Sequence, residues 1–506
     1  MDFKTLIDLV NTVNKNKVKN IEVLGNPDQE ASMIEAFYAA IARGRLRNDE
    51  EAVKFLYGKN EGVKSKTYLR TKHRLIRQLI NTSLFVDINQ PMFNERAKAY
   101  YNCYRDFAAA FMLALRGALL AATVIFEQTI EQTIKYEMVD LTADIARELR
   151  RLYARSANDQ VKHERISTIH RQYEEKRRLE MLALDYYENL INYYIVRRSP
   201  NEEVNKYAAS YFEELLPLAP QADTSQFYFY TYQIGIIKFF SENNCAAALK
   251  TCEESLDILR SRKNTNRGAL AAVVLQKMLC LTQLRIFNEE CDEAVQYSLS
   301  LLEEGDANWF RTHEVHLHYC LFARRYTDAL DIFSKASKHE RFSTLAGTAR
   351  DNWQLYGGYL HLLAVLGKLD KGKVTESVGE FAYTALSNDI ELVDRDKQGM
   401  NIPLVMLPII YSLVTRTFHD TEEVSTDALE KYRKRHLEND LNRRSAAFLN
   451  LMFAFAKKDY QSASAEKKIK KELEVLSKEQ PQIAGQTFAV EIIPYEDLWE
   501  MMVENG

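Results

Sequence analysis

At 506 residues, with 46% hydrophobic and 27% charged side chains, the chain is too long for one core and has the make-up of a globular protein. A formal net charge of -4 argues against constitutive, non-specific nucleic-acid binding and leaves room for a local basic face. Only 17 Gly and 9 Pro supply turns, which favours helices over the many tight turns of a sheet protein.

In chain order, residues 1–91 read as a helical N-terminal module. Nothing in its first residues resembles an export signal, so a cytoplasmic protein is expected. Phe3, Leu6, Ile7, Leu9 and Val10 predict an amphipathic helix, and Asn26-Pro27-Asp28 starts a second one through Ile41. Asn48, Asp49, Glu50 and Glu51 cap a short helix ending near Tyr57, since acidic residues favour the positive end of the helix dipole. A linker leads to a long helix from about Ser65 to Phe85, loaded with Lys64, Lys66, Arg70, Lys72, His73, Arg74 and Arg77. Short helix, turn, then basic helix is the layout of a helix-turn-helix nucleic-acid reader. Against it, Gly58–Lys64 is longer than the usual turn, and Leu69, Leu75, Ile76, Leu79 and Ile80 demand burial, so the cations also fit a merely solvated face.

Residues 92–224 predict helical hairpins. Phe107 to Phe126 is apolar over about the length of a membrane span, yet Arg116-Gly117 sits at its midpoint, where an arginine costs roughly 2.5–3.5 kcal/mol. Two buried helices meeting at Gly117 are expected instead, and no membrane partner. Asn158 to Arg198 is a charged stretch with a narrow apolar stripe at Ile166, Ile169, Tyr173, Leu179, Leu182 and Tyr186, the pattern of a long spine helix.

Residues 225–369 carry a repeat. Tyr326-Thr-Asp-Ala329-Leu-Asp-Ile-Phe333-Ser-Lys-Ala336 places an aromatic three residues before a small Ala, as Cys245/Ala248, Cys291/Ala294 and Tyr460/Ala463 do more weakly. Gly235, Phe239 and Ala248, then Leu317, Tyr326, Ala329, Phe333 and Ala336, then Trp353, Tyr356, Gly357 and Leu360 fall at small and large positions of one helical-hairpin pattern. Leu451, Ala454, Tyr460 and Ala463 give a terminal unit. With these residues the chain resembles the tetratricopeptide-repeat family over about half its length, although His313 replaces the usual Trp and Arg341 the usual Pro. The Lys397–Pro403 and Ile493–Trp499 segments are also similar to large bacterial helical-repeat proteins of uncharacterised function. The resemblance implies an all-α fold, an α-solenoid of tetratricopeptide-like hairpins. Residues 370–403 break the pattern as an irregular insert, and 404–506 resume as helical repeats closed by an apolar cap, Phe488 to Trp499.

Chemistry-bearing patterns are sparse. The six cysteines, Cys103, Cys245, Cys252, Cys280, Cys291 and Cys320, lack a disulfide framework and read as reduced, buried thiols. His313, His316 and Cys320 share a helix face with donors suited to zinc, but the spacing is not that of H-E-x-x-H, and buried or groove histidines account for them better. Phosphate loops and the nucleophile elbow are missing from the sequence, so no cofactor and no enzymatic activity are expected. A second basic cluster, Lys431, Arg433, Lys434, Arg435, His436, Arg443 and Arg444, is interrupted by Glu438 and Asp440.

The leading expectation is a scaffold that binds a protein or peptide along the first helices of its hairpins. Its candidate contacts are Tyr228, Tyr232, Gln276, Lys277, His313, His316, His318 and Gln354. The alternatives are a DNA-binding regulator using Lys64, Lys66, Arg70, Lys72, Arg74 and Arg77, with the solenoid as sensor, and a metal-dependent enzyme using His313, His316 and Cys320.

Overall fold

Polar residues punctuate the chain at both kinds of helix end. Asn48, Ser65, Asn94, Thr224, Asn244, Asn266 and Asp370 each accept a hydrogen bond from a backbone N–H in the first turn of the helix that follows. At the other end a residue in the left-handed region turns the chain back, at Gly117, Glu137, Asn243, Arg285, Arg324 and Gly367. The residue after each donates to a carbonyl five positions back, as from Ile286 to Leu281 at 2.9 Å and from Arg325 to Cys320 at 2.8 Å. The last four of these turns recur at intervals of about 40 residues.

The computed structural model describes residues 33–58, 61–84, 87–89, 93–154, 160–192, 201–262, 264–380, 402–415, 443–456, 463–479 and 491–505, with Phe3, Leu6, Pro481 and residues 483, 484, 488 and 489. These fall into two compact units, residues 1–177 and 178–506.

The first unit begins with α1 (Met33–Ala42), α2 (Asp49–Tyr57) and α3 (Lys66–Ser83) around Phe37, Ile41, Val53, Tyr68, Leu75 and Leu79. Next come α4 (Glu95–Leu115), α5 (Leu119–Lys135) and α6 (Val139–Tyr153), packed in series on Phe126, Ile130, Ile145 and Leu149. The apolar run of 107–126 is split at Gly117, as its sequence requires, but is only half buried. Met112, Leu115, Leu120 and Val124 are exposed. Among the described residues no helix is long and apolar enough to cross a membrane. The spine is α7 (Gln160–Ile191), within which the division between the units falls.

In the second unit α8 (Asn201–Leu215) and a single turn α9 (Ala219–Ala222) precede α10 (Ser225–Ser241), α11 (Cys245–Ser261), α12 (Arg267–Gln283), α13 (Glu289–Leu301), α14 (Ala307–Phe322), α15 (Tyr326–Ser337) and α16 (Gly347–Val365). Each packs on its neighbours in sequence, and α12 also packs on α14. Gly235 permits one close approach, because a Cβ there would stand 2.7 Å from the Phe212 ring. The segment expected to be irregular from 370 onward starts as a helix, α17 (Lys371–Val378), capped by Asp370 and packed on α15 and α16. Residues 381–401 of that segment lie outside the described residues. Then come α18 (Ile402–Val414), α19 (Arg443–Ala456), α20 (Ala463–Lys478), a two-stranded pairing of β1 (Ile483–Ala484) with β2 (Phe488–Ala489), and α21 (Tyr495–Asn505).

The expected C-terminal cap reaches further than the last hairpin. Arg285, Arg324 and Lys368, at the turns after α12, α14 and α16, pair with Glu496 (2.9 Å), Asp497 and Glu500 (both 2.6 Å) and Glu504 (2.8 Å). Arg444 is buried beneath it, holding Glu491 through two bonds of 2.6 and 2.9 Å, Glu496 at 2.8 Å, and the backbone carbonyls of Leu476 and Glu479.

Candidate functional site

The module α1–α3 is assembled by polar staples as well as by its core. Asp49, at the start of α2, accepts a hydrogen bond from the Tyr68 hydroxyl and an ion pair from Lys72 at 2.8 Å. At the other end of α2, Tyr57 shares a 2.7 Å hydrogen bond with Thr71. Both ends of the short helix thus reach the same turn of α3. Burial and the Asp49 carboxylate together push the Tyr68 phenol well above its ordinary range.

Lys72 is therefore withdrawn from the cationic set predicted from sequence. It lies on the inner face with Tyr68, Leu75 and Leu79 and is only 6% exposed. The remaining cations stay outside. Lys66, Arg70, His73, Arg74 and Arg77 recur at three- and four-residue spacing along one exposed face of α3, and Lys64 is exposed in the turn before it. No carboxylate pairs with Lys64, Lys66, Arg70, Arg74 or Arg77 among the described residues. Leu69 and Ile80, expected in the core, are instead 49% and 46% exposed. Lys66, Leu69, Arg70, His73, Arg74, Arg77, Gln78 and Asn81 line a shallow depression of about 670 Å³. Such a surface offers guanidinium and ammonium donors for phosphate oxygens, with Leu69 available for apolar contact.

The eight residues proposed for a peptide groove are placed differently. Tyr232, His313 and His318 are buried, His316 is nearly so, and Gln354 is exposed. Gln276 exchanges two hydrogen bonds with Gln233, at 2.8 and 2.7 Å, and Lys277 pairs with Glu290 at 2.5 Å and Glu253 at 3.4 Å. Tyr228 lies under the Arg262 guanidinium at 5.0 Å. The polar groups of Gln276 and Lys277 are thus committed to neighbouring helices.

The histidines of α14 are packing groups too. His313 Nδ1 donates to the Trp309 carbonyl and His318 Nε2 to the Glu491 carbonyl, each at 2.9 Å. Burial drives both imidazoles down to about 4. His316 stands 3.4 Å from Asp292 without hydrogen-bond geometry, and burial lowers it as well. Cys320 is buried, and among the described residues no group of three His, Cys, Asp or Glu could hold a metal ion. All six cysteines are free and buried; burial pushes the thiol of Cys103 up to about 11 and those of Cys245, Cys291 and Cys320 to about 12, away from thiolate chemistry. Of the second basic cluster, Arg443 pairs with Glu479 and Arg444 is the buried anchor described above, while residues 431–436 lie outside the described residues.

No protein-family model matches the chain, and no curated protein or solved structure is similar to it.

Proposed function

We propose that the protein is a non-enzymatic nucleic-acid-binding regulator that engages a duplex through the outer face of α3. The single observation that carries this reading is the row of Lys66, Arg70, Arg74 and Arg77, exposed and without carboxylate partners among the described residues, on the same helix whose inward Lys72 is neutralised by Asp49. A helix of about 10–12 Å diameter fits a major groove of about 12 Å, and the stapling of both ends of α2 to one turn of α3 supports the helix-turn-helix comparison despite the long turn. A serial stack of tetratricopeptide-like hairpins in the second unit would then serve as sensor or protein-docking scaffold, a reading supported by the recurring turns at Asn243, Arg285, Arg324 and Gly367. The simpler scaffold reading, a peptide along the first helices of the hairpins, is weakened by the internal bonds of Gln276, Lys277, His313 and His318.

The test is fluorescence anisotropy of the full chain with a labelled random-sequence duplex at low salt, where a local basic face binds despite the negative net charge. Binding is expected for the wild type and loss for the triple variant Lys66→Glu/Arg70→Glu/Arg74→Glu, whose exposed positions leave the fold intact. Equal binding by both proteins would return the peptide scaffold to first place.

A further inference from the structure

The hairpin of α4 and α5 buries one face in its own core through Phe107, Ala110, Ala122 and Phe126, and leaves the opposite face bare. On that bare face Tyr104, Ala108, Met112 and Leu115 of α4, and Leu120, Val124, Gln128 and Glu131 of α5, each follow at steps of four, four and three. This is the spacing of a seam that meets another helix. Leu115 is 64% exposed and Leu120 87%, a degree of apolar exposure that a solvated hairpin does not require.

We propose that this face is the seam of a homodimer, in which two α4–α5 hairpins pack tip to base as an antiparallel four-helix bundle. The charges select this occupant. From 107 to 126 the only charged residue is Arg116, at the tip, and Glu131 closes the stripe about 18 Å along α5 from Leu119, at 1.5 Å per residue. Neither has an ion-pair partner among the described residues. A two-fold axis across the middle of the stripe brings Arg116 of each copy to Glu131 of the other, so one operation covers the apolar side chains and pairs both charges twice. A bilayer would do neither. The hairpin's other face is already packed against its own unit, and insertion would strand Glu131 beside lipid. The proposal stands apart from nucleic-acid binding, since none of these residues belongs to α3.

Sedimentation equilibrium of the full chain tests it. The wild type is expected at twice its 58.7 kDa at about 10–100 µM. Leu120→Glu/Val124→Glu is expected to be monomeric with unchanged helical circular dichroism. Arg116→Glu places like charges together and should weaken the dimer at least tenfold, and Arg116→Glu/Glu131→Arg should restore it. A wild type that stays monomeric, a dimer indifferent to Leu120→Glu/Val124→Glu, a charge swap no tighter than Arg116→Glu alone, or capture by anionic vesicles in place of self-association would each overturn the proposal.

Discussion

Acidification should unlock the second unit through two imidazoles. His313 faces the Trp309 carbonyl and indole, Lys335, His316 and Glu304; His318 faces the Glu491 carbonyl and Arg311. Both are buried and held near 4, whereas an unfolded chain has histidines near 6.5. The unfolded state therefore takes up protons first. The stability these groups protect is complete above about pH 6.5 and is lost as pH falls towards 4. Between pH 7 and pH 5 each histidine costs about 2 kcal/mol, and the pair about 4 kcal/mol, a large share of a typical 5–15 kcal/mol. The assay is urea unfolding followed by tryptophan fluorescence, which reports on this unit because Trp309, Trp353 and Trp499 all lie in it. The comparison is with His313→Gln/His318→Gln, in which amides replace the titrating donors while His316 and the carboxylates stay common to both proteins. The wild type should lose about 4 kcal/mol more than the double variant between the two pH values. Equal losses would refute the reasoning.

Two further substitutions probe the packing. Arg444→Ala should cost about 3–5 kcal/mol in urea unfolding, because it strands the Glu491 carboxylate at 2% exposure, and adding Glu491→Gln should recover part of that loss. Gly235→Ala should cost about 1–2 kcal/mol by the same measurement, the clash with Phe212 outweighing alanine's better helix propensity.

What local pattern could specify was legible. The motif beginning at Tyr326 is the helix Tyr326–Ser337, Asn48 and the acidic residues after it do start α2, and Gly117 does split the apolar run. Errors arose where a side chain's fate depends on a distant residue. Lys72 and Arg74 look alike in sequence, yet Asp49, 23 residues earlier, takes only Lys72. A signal was present, since Tyr68, Lys72, Leu75 and Leu79 share one helical face. Leu69 and Ile80, by contrast, keep step with the cations and follow them outward. His313 and His318 suggest a groove because polar residues usually face water, but α14 is buried on nearly every side and they are enclosed with it. The union of Arg444 with Glu491, and of Arg285 and Arg324 with the C-terminal helix, spans 47 to 211 residues of sequence and leaves no local mark. The helix at Lys371 was announced by Asp370 and obscured by the glycines around it.

The most direct measurement of the central claim is the salt dependence of duplex binding. If Lys64, Lys66, Arg70, Arg74 and Arg77 each neutralise a phosphate, a plot of log affinity against log salt should fall with a slope of about -4.5, roughly 500-fold between 50 and 200 mM. Lys66→Gln/Arg70→Gln/Arg74→Gln should flatten that slope to about -2 while leaving stability within about 0.5 kcal/mol. A wild-type affinity that is absent or indifferent to salt, or a variant with the same slope as the wild type, would contradict a nucleic-acid role for α3.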